Sequence, residues 1–215
     1  MNRRLFISVL LFCCSVFLHG VRAQDTQGKD DLDRRVEAFL KNHRTSWHDM
    51  NIPESDGRAL YDLIVRNGYK SALEIGTSTG HSGIWMAWAL SKTGGKLITI
   101  EIDPERHGQA LEHFQEAGLS EFIDARLGDV HKIVPALKGP FDFVFSDADK
   151  EWYKNYFIDV LPQLTVGGCF TAHNVAHPYG GIQTFLDYVR SLPNVETSIL
   201  NSSRSGISAS VKKSE

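Results

Sequence analysis

Five short polar stretches hold the residues whose types and spacing can do chemistry: Glu74 to Ser82, Glu101, Gly128-Asp129, Asp147-Ala-Asp-Lys150 and His173-Asn174. In the first, Leu73-Glu-Ile-Gly-Thr-Ser-Thr-Gly-His-Ser82, Gly76 and Gly80 allow a tight turn and a close backbone approach to a ligand. A helix starting near Gly80 turns free N–H groups towards the same ligand. Glu101 closes the next apolar run, 25 positions after Gly76, near the roughly 20 expected of an acid that accepts from ribose hydroxyls. A dinucleotide site needs G-x-G-x-x-G against a pyrophosphate, whereas these glycines stand at 76, 80 and 83 with Glu74 inside the turn. A carboxylate there repels phosphate and suits an ammonium. S-adenosylmethionine carries an ammonium, a sulfonium and no phosphate, so it is the expected cofactor. Ser82 is placed either to cap its helix or to meet the cofactor's carboxylate.

Asp147 and Asn174 each follow an apolar run and both offer oxygen, a pattern suited to a hard divalent cation with positions left open for substrate and water. Lys150, one helical turn beyond Asp147, stands over the same spot, where a lysine beside a cation can take a proton from a substrate hydroxyl. Asp129 is equally a helix cap and a cofactor contact, and Asp147 belongs to the cofactor edge as well as to the metal.

The elements that must position these residues alternate. Helical stripes at Asp31 to His43 and Glu54 to Arg66 come first. Strands are predicted at Ala72–Ile75, Lys96–Ile100, Phe122–Leu127, Phe141–Ser146 and Gly168–Ala172. Helices fall between them at Ser82–Leu90, Pro104–Ala117, His131–Leu137 and Trp152–Leu164. This predicts an α/β fold, a Rossmann-like doubly wound sheet that is mostly parallel and covered on both faces. After a helix at Gly180–Leu192, Val195–Leu200 and Gly206–Lys212 are joined by too few residues for a crossover, so that pair is antiparallel. In such a sheet, ligands sit beyond the carboxyl ends of the strands, where all five polar stretches fall.

The chain of 215 residues is 42% hydrophobic and 23% charged, enough apolar material for one domain with a real core and too much for disorder. Arg3-Arg4, the apolar run Leu5 to Leu18 and Val21-Arg22-Ala23 read as a signal peptide over residues 1–23, leaving 24–215 as the mature domain, exported to a periplasm or secreted. An uncleaved anchor is the alternative, though the run is shorter than the roughly 20 residues that span a bilayer. Cleavage removes three arginines and no acid, taking the formal charge from −3 to −6, which argues against nucleic acid and anionic membrane as partners. Cys169 is then alone in an apolar strand, a packing residue.

Taken together, Leu73-Glu-Ile-Gly with Gly80-His-Ser82, Leu97-Ile-Thr-Ile-Glu-Ile, Asp147-Ala-Asp-Lys150 with Tyr153, and Gly167-Gly168 leading to Asn174-Val175 resemble the metal-dependent class I O-methyltransferases, of which the catechol and caffeoyl-CoA enzymes are types. The resemblance runs from about Met50 to Lys212. It implies seven strands with the last antiparallel, Glu101 on the ribose, Glu74 and Ser82 at the methionine end, Met50 and Ile52 beside the cofactor, Lys150 as base and Pro178 flanking an aromatic substrate. Two departures stand out. His173 replaces an aspartate of the family's metal site, so the set becomes Asp147, His173 and Asn174, suited to a softer ion than magnesium. Ser202 to Ser205, with Arg204, replace an acid near the last hairpin. The function expected is methylation of a hydroxyl on a small phenolic or catechol-like molecule by S-adenosylmethionine with metal assistance. The alternatives are an exported protein that binds the cofactor without turnover, and a metal-independent enzyme with His173 as base. A homodimer is compatible with either.

Overall fold

The computed structural model describes residues 28, 30–47 and 50–215. The expected signal peptide at 1–23 lies outside them. The chain divides into two units, 1–42 and 43–215. In the first, the described residues form helix α1 (30–42), with an ion pair between Arg34 and Asp31. Among the described residues, no helix is long and apolar enough to cross a membrane.

The second unit is built on seven strands in the order β3-β2-β1-β4-β5-β7-β6. These are β1 (Ser71–Ile75), β2 (Lys96–Glu101), β3 (Ile123–Leu127), β4 (Phe141–Ser146), β5 (Leu164–His173), β6 (Val195–Leu200) and β7 (Ile207–Lys212). The first five pair in parallel, and β7 is antiparallel to both β5 and β6. Alternation along the strands divides the apolar residues between two cores. Leu73, Ile75, Val144 and Phe170 enter one core with Phe157 and Phe185. Ala72, Phe143, Phe145 and Cys169 enter the other with Leu60, Ile64 and Met86. The first core is closed by α6 (Tyr153–Val160) and α7 (Gly180–Ser191), and the second by α2 (Glu54–Asn67) and α3 (His81–Thr93).

Local chemistry sets the element ends. Asp103 caps α4 (Pro104–Ala117), its carboxylate accepting from the Glu105 and Arg106 amides ahead of a first-turn proline. The helix expected at His131–Leu137 is a single turn, α5 (Val130–Ile133), continued as a 3-10 turn at Val134–Ala136, because Pro135 lacks the N–H that would extend it. Pro162 likewise confines α6, and β5 begins at Leu164, four residues before the expected Gly168. The sheet changes winding direction at β1, which has β2 on one side and β4 on the other. Backbone bonds tie the strand ends there. The Gly76 and Thr77 amides donate to the Ile100 carbonyl, and the Asp147 amide donates to that of Ile75.

Candidate active site

A cavity of about 540 Å³ opens at that winding change, beyond the carboxyl ends of the strands. Its wall includes Gly76, Ser82, Glu101, Asp129, Asp147, Lys150, His173 and Asn174, so every polar stretch singled out in the sequence contributes to it. Met50 also lines it, largely exposed. Three expected contacts stand behind the wall. Glu74 and Ile52 are buried beneath it, and Gly80 caps α3 in a left-handed conformation.

Gly76, at φ 101°, meets both demands made of such a turn: a Cβ there would lie 3.1 Å from the Ala148 amide nitrogen and strain the backbone. The turn presents the Ser78 amide to Glu101 Oε2 at 2.7 Å, while the Ile102 and Asp103 amides donate to Oε1 at 3.1 and 3.0 Å. Glu101 is thereby fixed with its charge facing the cavity.

Glu74 alternates onto the face against which α3 packs, so Ser82 of that helix donates to its Oε1 and Thr99 of β2 to its Oε2. Burial pushes its carboxyl up to about 8, aided by the charges of Asp147 and Glu101 and opposed by those two hydrogen bonds. Ser82 separates it from the cavity, in reach of both.

Across the cavity, Lys150 Nζ lies 3.2 Å from Asp147 Oδ1. Asp147 Oδ2 faces His173 Nδ1 at 3.2 Å, and His173 Nε2 lies 2.8 Å from Asp56 Oδ2. Burial alone would lower the His173 pKa, but the two carboxylates outweigh it and raise it to about 9. For Asp56, too, burial opposes the charge, and hydrogen bonds from His173, Ser202 and Ser203 hold it below its usual value. Asn174 takes φ 62°, a left-handed conformation that asparagine tolerates and that turns the chain at the end of β5.

The metal-site expectation requires a divalent ion at this edge of the cavity. Among the described residues no three His, Cys, Asp or Glu side chains form a metal cluster. The set available is one carboxylate, one imidazole and one amide. His173 Nδ1 is buried, and although 3.2 Å from Asp147 it makes no aligned hydrogen bond. With Asp147 and Asp56 on its two sides favouring the protonated ring, and Lys150 on the other Asp147 oxygen, His173 and Asp147 form an ion-pair network, and the residues do not fit a divalent ion.

An O-methyltransferase family model matches residues 28–183. The chain belongs to the O-methyltransferase family. It is 38% identical to a catechol O-methyltransferase from Niastella koreensis over 59% of its own length and 58% of that protein's. It is 32% identical to caffeoyl-CoA O-methyltransferase 1 of Eucalyptus globulus over 67% and 63% respectively. It thus spans about three fifths of the curated relatives it matches. Among solved structures, an O-methyltransferase from Bacillus cereus in complex with SAH superposes with a TM-score of 0.73 at 25% identity, covering 84% of this chain and 91% of that one. TomG, an O-methyltransferase of tomaymycin synthesis from Streptomyces achromogenes in complex with SAM, gives 0.72 at 26% identity, covering 84% and 90%. The seven-stranded, mostly parallel sheet is the fold of these family members.

At the site of this family member, His131 in the cavity wall and Asp56 buried outside it were not singled out in the sequence. His131 lies 3.0 Å from Asp129 through Nδ1 and 3.4 Å from Asp149 through Nε2, with its ring against Trp152. Ser205 arrives from the β6–β7 turn. Asp56 is the most consequential, because it meets His173 across 117 residues of chain. One signal was present: Asp56, Leu60 and Ile64 are all buried at four-residue spacing, so an acid occupies the apolar stripe of α2. His81 also lines no part of the cavity. It is buried between Trp47 and Trp85, and burial lowers its pKa to about 4.

Proposed function

We propose that the protein transfers a methyl group from S-adenosylmethionine to a hydroxyl of a small phenolic or catechol-like molecule. The observation that carries this reading is the arrangement within one cavity of a fixed carboxylate at the end of β2 and a lysine–carboxylate pair at the end of β4. Glu101 accepts from the ribose hydroxyls, Asp129 borders the adenosine, and Ser82, backed by Glu74, receives the methionine end. Met50, Ile52, Gly76 and Gly80 shape the cofactor's bed.

The hydroxyl oxygen attacks the methyl carbon in line with its bond to sulfur. A new O–CH3 bond forms, the S–CH3 bond breaks with its electron pair going to sulfur, and the hydroxyl proton goes to Lys150 Nζ as the assigned base. Asp147 holds that nitrogen in place. No step of the transfer runs through the divalent ion expected at Asp147, His173 and Asn174, since Asp147 and His173 are already paired with Lys150 and Asp56. His173 is poorly placed as the base itself, since both of its ring nitrogens face carboxylates.

Support for the cofactor comes from the family and from relatives solved with SAM or SAH. Support for the substrate class comes from the curated relatives' catechol and caffeoyl-CoA names. Export through residues 1–23 is part of the same proposal. Calorimetry of the purified chain tests the cofactor half: S-adenosylmethionine should bind and NAD should not. Equal binding of both, or of neither, would overturn it.

A further inference from the structure

Resting on the methyl-transfer reading above, we infer that the buried pair of His173 and Asp56 takes the place of a divalent ion, clamping Asp147 from the side opposite Lys150, so that the reaction of this chain needs no metal.

Four groups run inwards from the cavity as a row of basic and acidic side chains in alternation. Lys150 Nζ is 3.2 Å from Asp147 Oδ1, Asp147 Oδ2 is 3.2 Å from His173 Nδ1, and His173 Nε2 is 2.8 Å from Asp56 Oδ2. Asp56 is fully buried on α2, an expensive place for an acid unless its oxygens are engaged. Ser202 donates to Oδ1 and Ser203 to Oδ2 at 2.6 Å, from a β6–β7 turn that is itself pinned, because the Ala176 amide donates to the Ser205 carbonyl at 2.8 Å. Against the cost of burial, these bonds and His173 keep Asp56 ionised. It can then only accept, so His173 Nε2 carries a hydrogen, and Nδ1 meets the second carboxylate. A dication would have to displace the ring from Asp147 and draw that carboxylate off Lys150, two costs that an open carboxylate site does not carry. The transfer itself asks for no further charge. Methyl transfer turns a sulfonium into a neutral thioether while the hydroxyl proton adds a charge to Lys150 Nζ, so one positive charge moves from sulfur to the lysine. What must be fixed is the carboxylate facing that charge. His173 holds the second oxygen of Asp147, with Asp56 behind its ring and Phe145 beside it, ring centroids 6.1 Å apart.

The test applies two readouts to the full chain after treatment with EDTA and gel filtration. In the first, manganese(II) is titrated against the chain and the electron paramagnetic resonance signal of the aqueous ion is followed. The native chain should leave that signal undiminished, whereas His173→Asp combined with Asp56→Asn, which exchanges the clamp for a second carboxylate, should quench it. In the second, catechol methylation is measured in EDTA and with added magnesium, manganese or zinc, and native turnover should be the same in all four. Asp56→Asn should lower kcat by roughly 10- to 100-fold, as a misplaced reacting group does, with KM for S-adenosylmethionine unchanged. Should that variant not fold, Ser202→Ala, which removes one of the bonds orienting Asp56, should lower kcat in the same direction. Manganese held by the native chain, or turnover lost in EDTA and regained with metal, overturns the inference and leaves the methyl-transfer reading standing. Absence of methylation under every condition overturns the methyl-transfer reading, and the manganese titration then decides by itself whether the clamp has replaced the ion.

Discussion

Substituting Glu74 by glutamine tests the electrostatics beneath the cofactor bed. Glu74 is fully buried, and its carboxyl is raised from an ordinary value of 4.5 to about 8. Below pH 4.5 the folded and unfolded chains both keep its proton. Between pH 4.5 and 8 the unfolded chain has released it while the native chain retains it, so stability falls by about 1.4 kcal/mol per pH unit. Above pH 8 both states are ionised and the loss levels off. The accumulated loss is roughly 4 to 5 kcal/mol. Glu74→Gln has no proton to lose, so the difference in stability between variant and parent should shift in the variant's favour by roughly 3 to 4 kcal/mol between pH 5 and 8. Chemical denaturation at unit pH steps measures it, and other titrating groups cancel in the difference. The cofactor supplies a second arm, because an ammonium beside Ser82 favours the ionised form. The parent should therefore release close to one proton on binding S-adenosylmethionine at pH 6.5, seen by calorimetry in buffers of different ionisation enthalpy, and the variant none. Parallel pH profiles for parent and variant would refute the assignment of a protonated Glu74.

Glu101→Ala should weaken S-adenosylmethionine binding by roughly 1.5 to 3 kcal/mol, tenfold or more, in a calorimetric titration. Lys150→Met should lower turnover by roughly 10² to 10⁴ while cofactor affinity stays within a few-fold, as single-turnover assays would show. His173→Asp alone sets a second carboxylate against buried Asp56 and should destabilise the fold by roughly 3 to 5 kcal/mol. Adding Asp56→Asn should restore the fold and confer a response to magnesium, read as thermal shift and activity. Mass spectrometry of protein from its native host should find an N-terminus at Gln24, and a full-length chain extracted only by detergent would establish an anchor instead.

The fold was legible because its signals are local. Glycines at 76 and 80, the Asp103-Pro104 start of α4 and the short apolar strands each announce their element within a few residues. Residues at strand ends were legible for the same reason, since a doubly wound sheet brings those ends to one edge whatever their separation in sequence. Strand order was not, and neither were contacts made from helices and from the last hairpin. Asp56 reads as one polar residue in an amphipathic helix until packing sets it against His173, Ser202 and Ser203. Glu74 shows the other limit. Its place in the turn is plain in the sequence, but its burial behind Ser82, which changes its charge, depends on how α3 packs.

The central claim is tested most directly by incubating the purified chain with catechol, a divalent metal and S-adenosylmethionine labelled in its methyl group. The prediction is a labelled methyl ether on a ring hydroxyl, formed in equal amount with S-adenosylhomocysteine and lost in Lys150→Met. Cofactor that binds but stays intact, with no label on catechol or any other phenol across manganese, iron, zinc and magnesium, would contradict it.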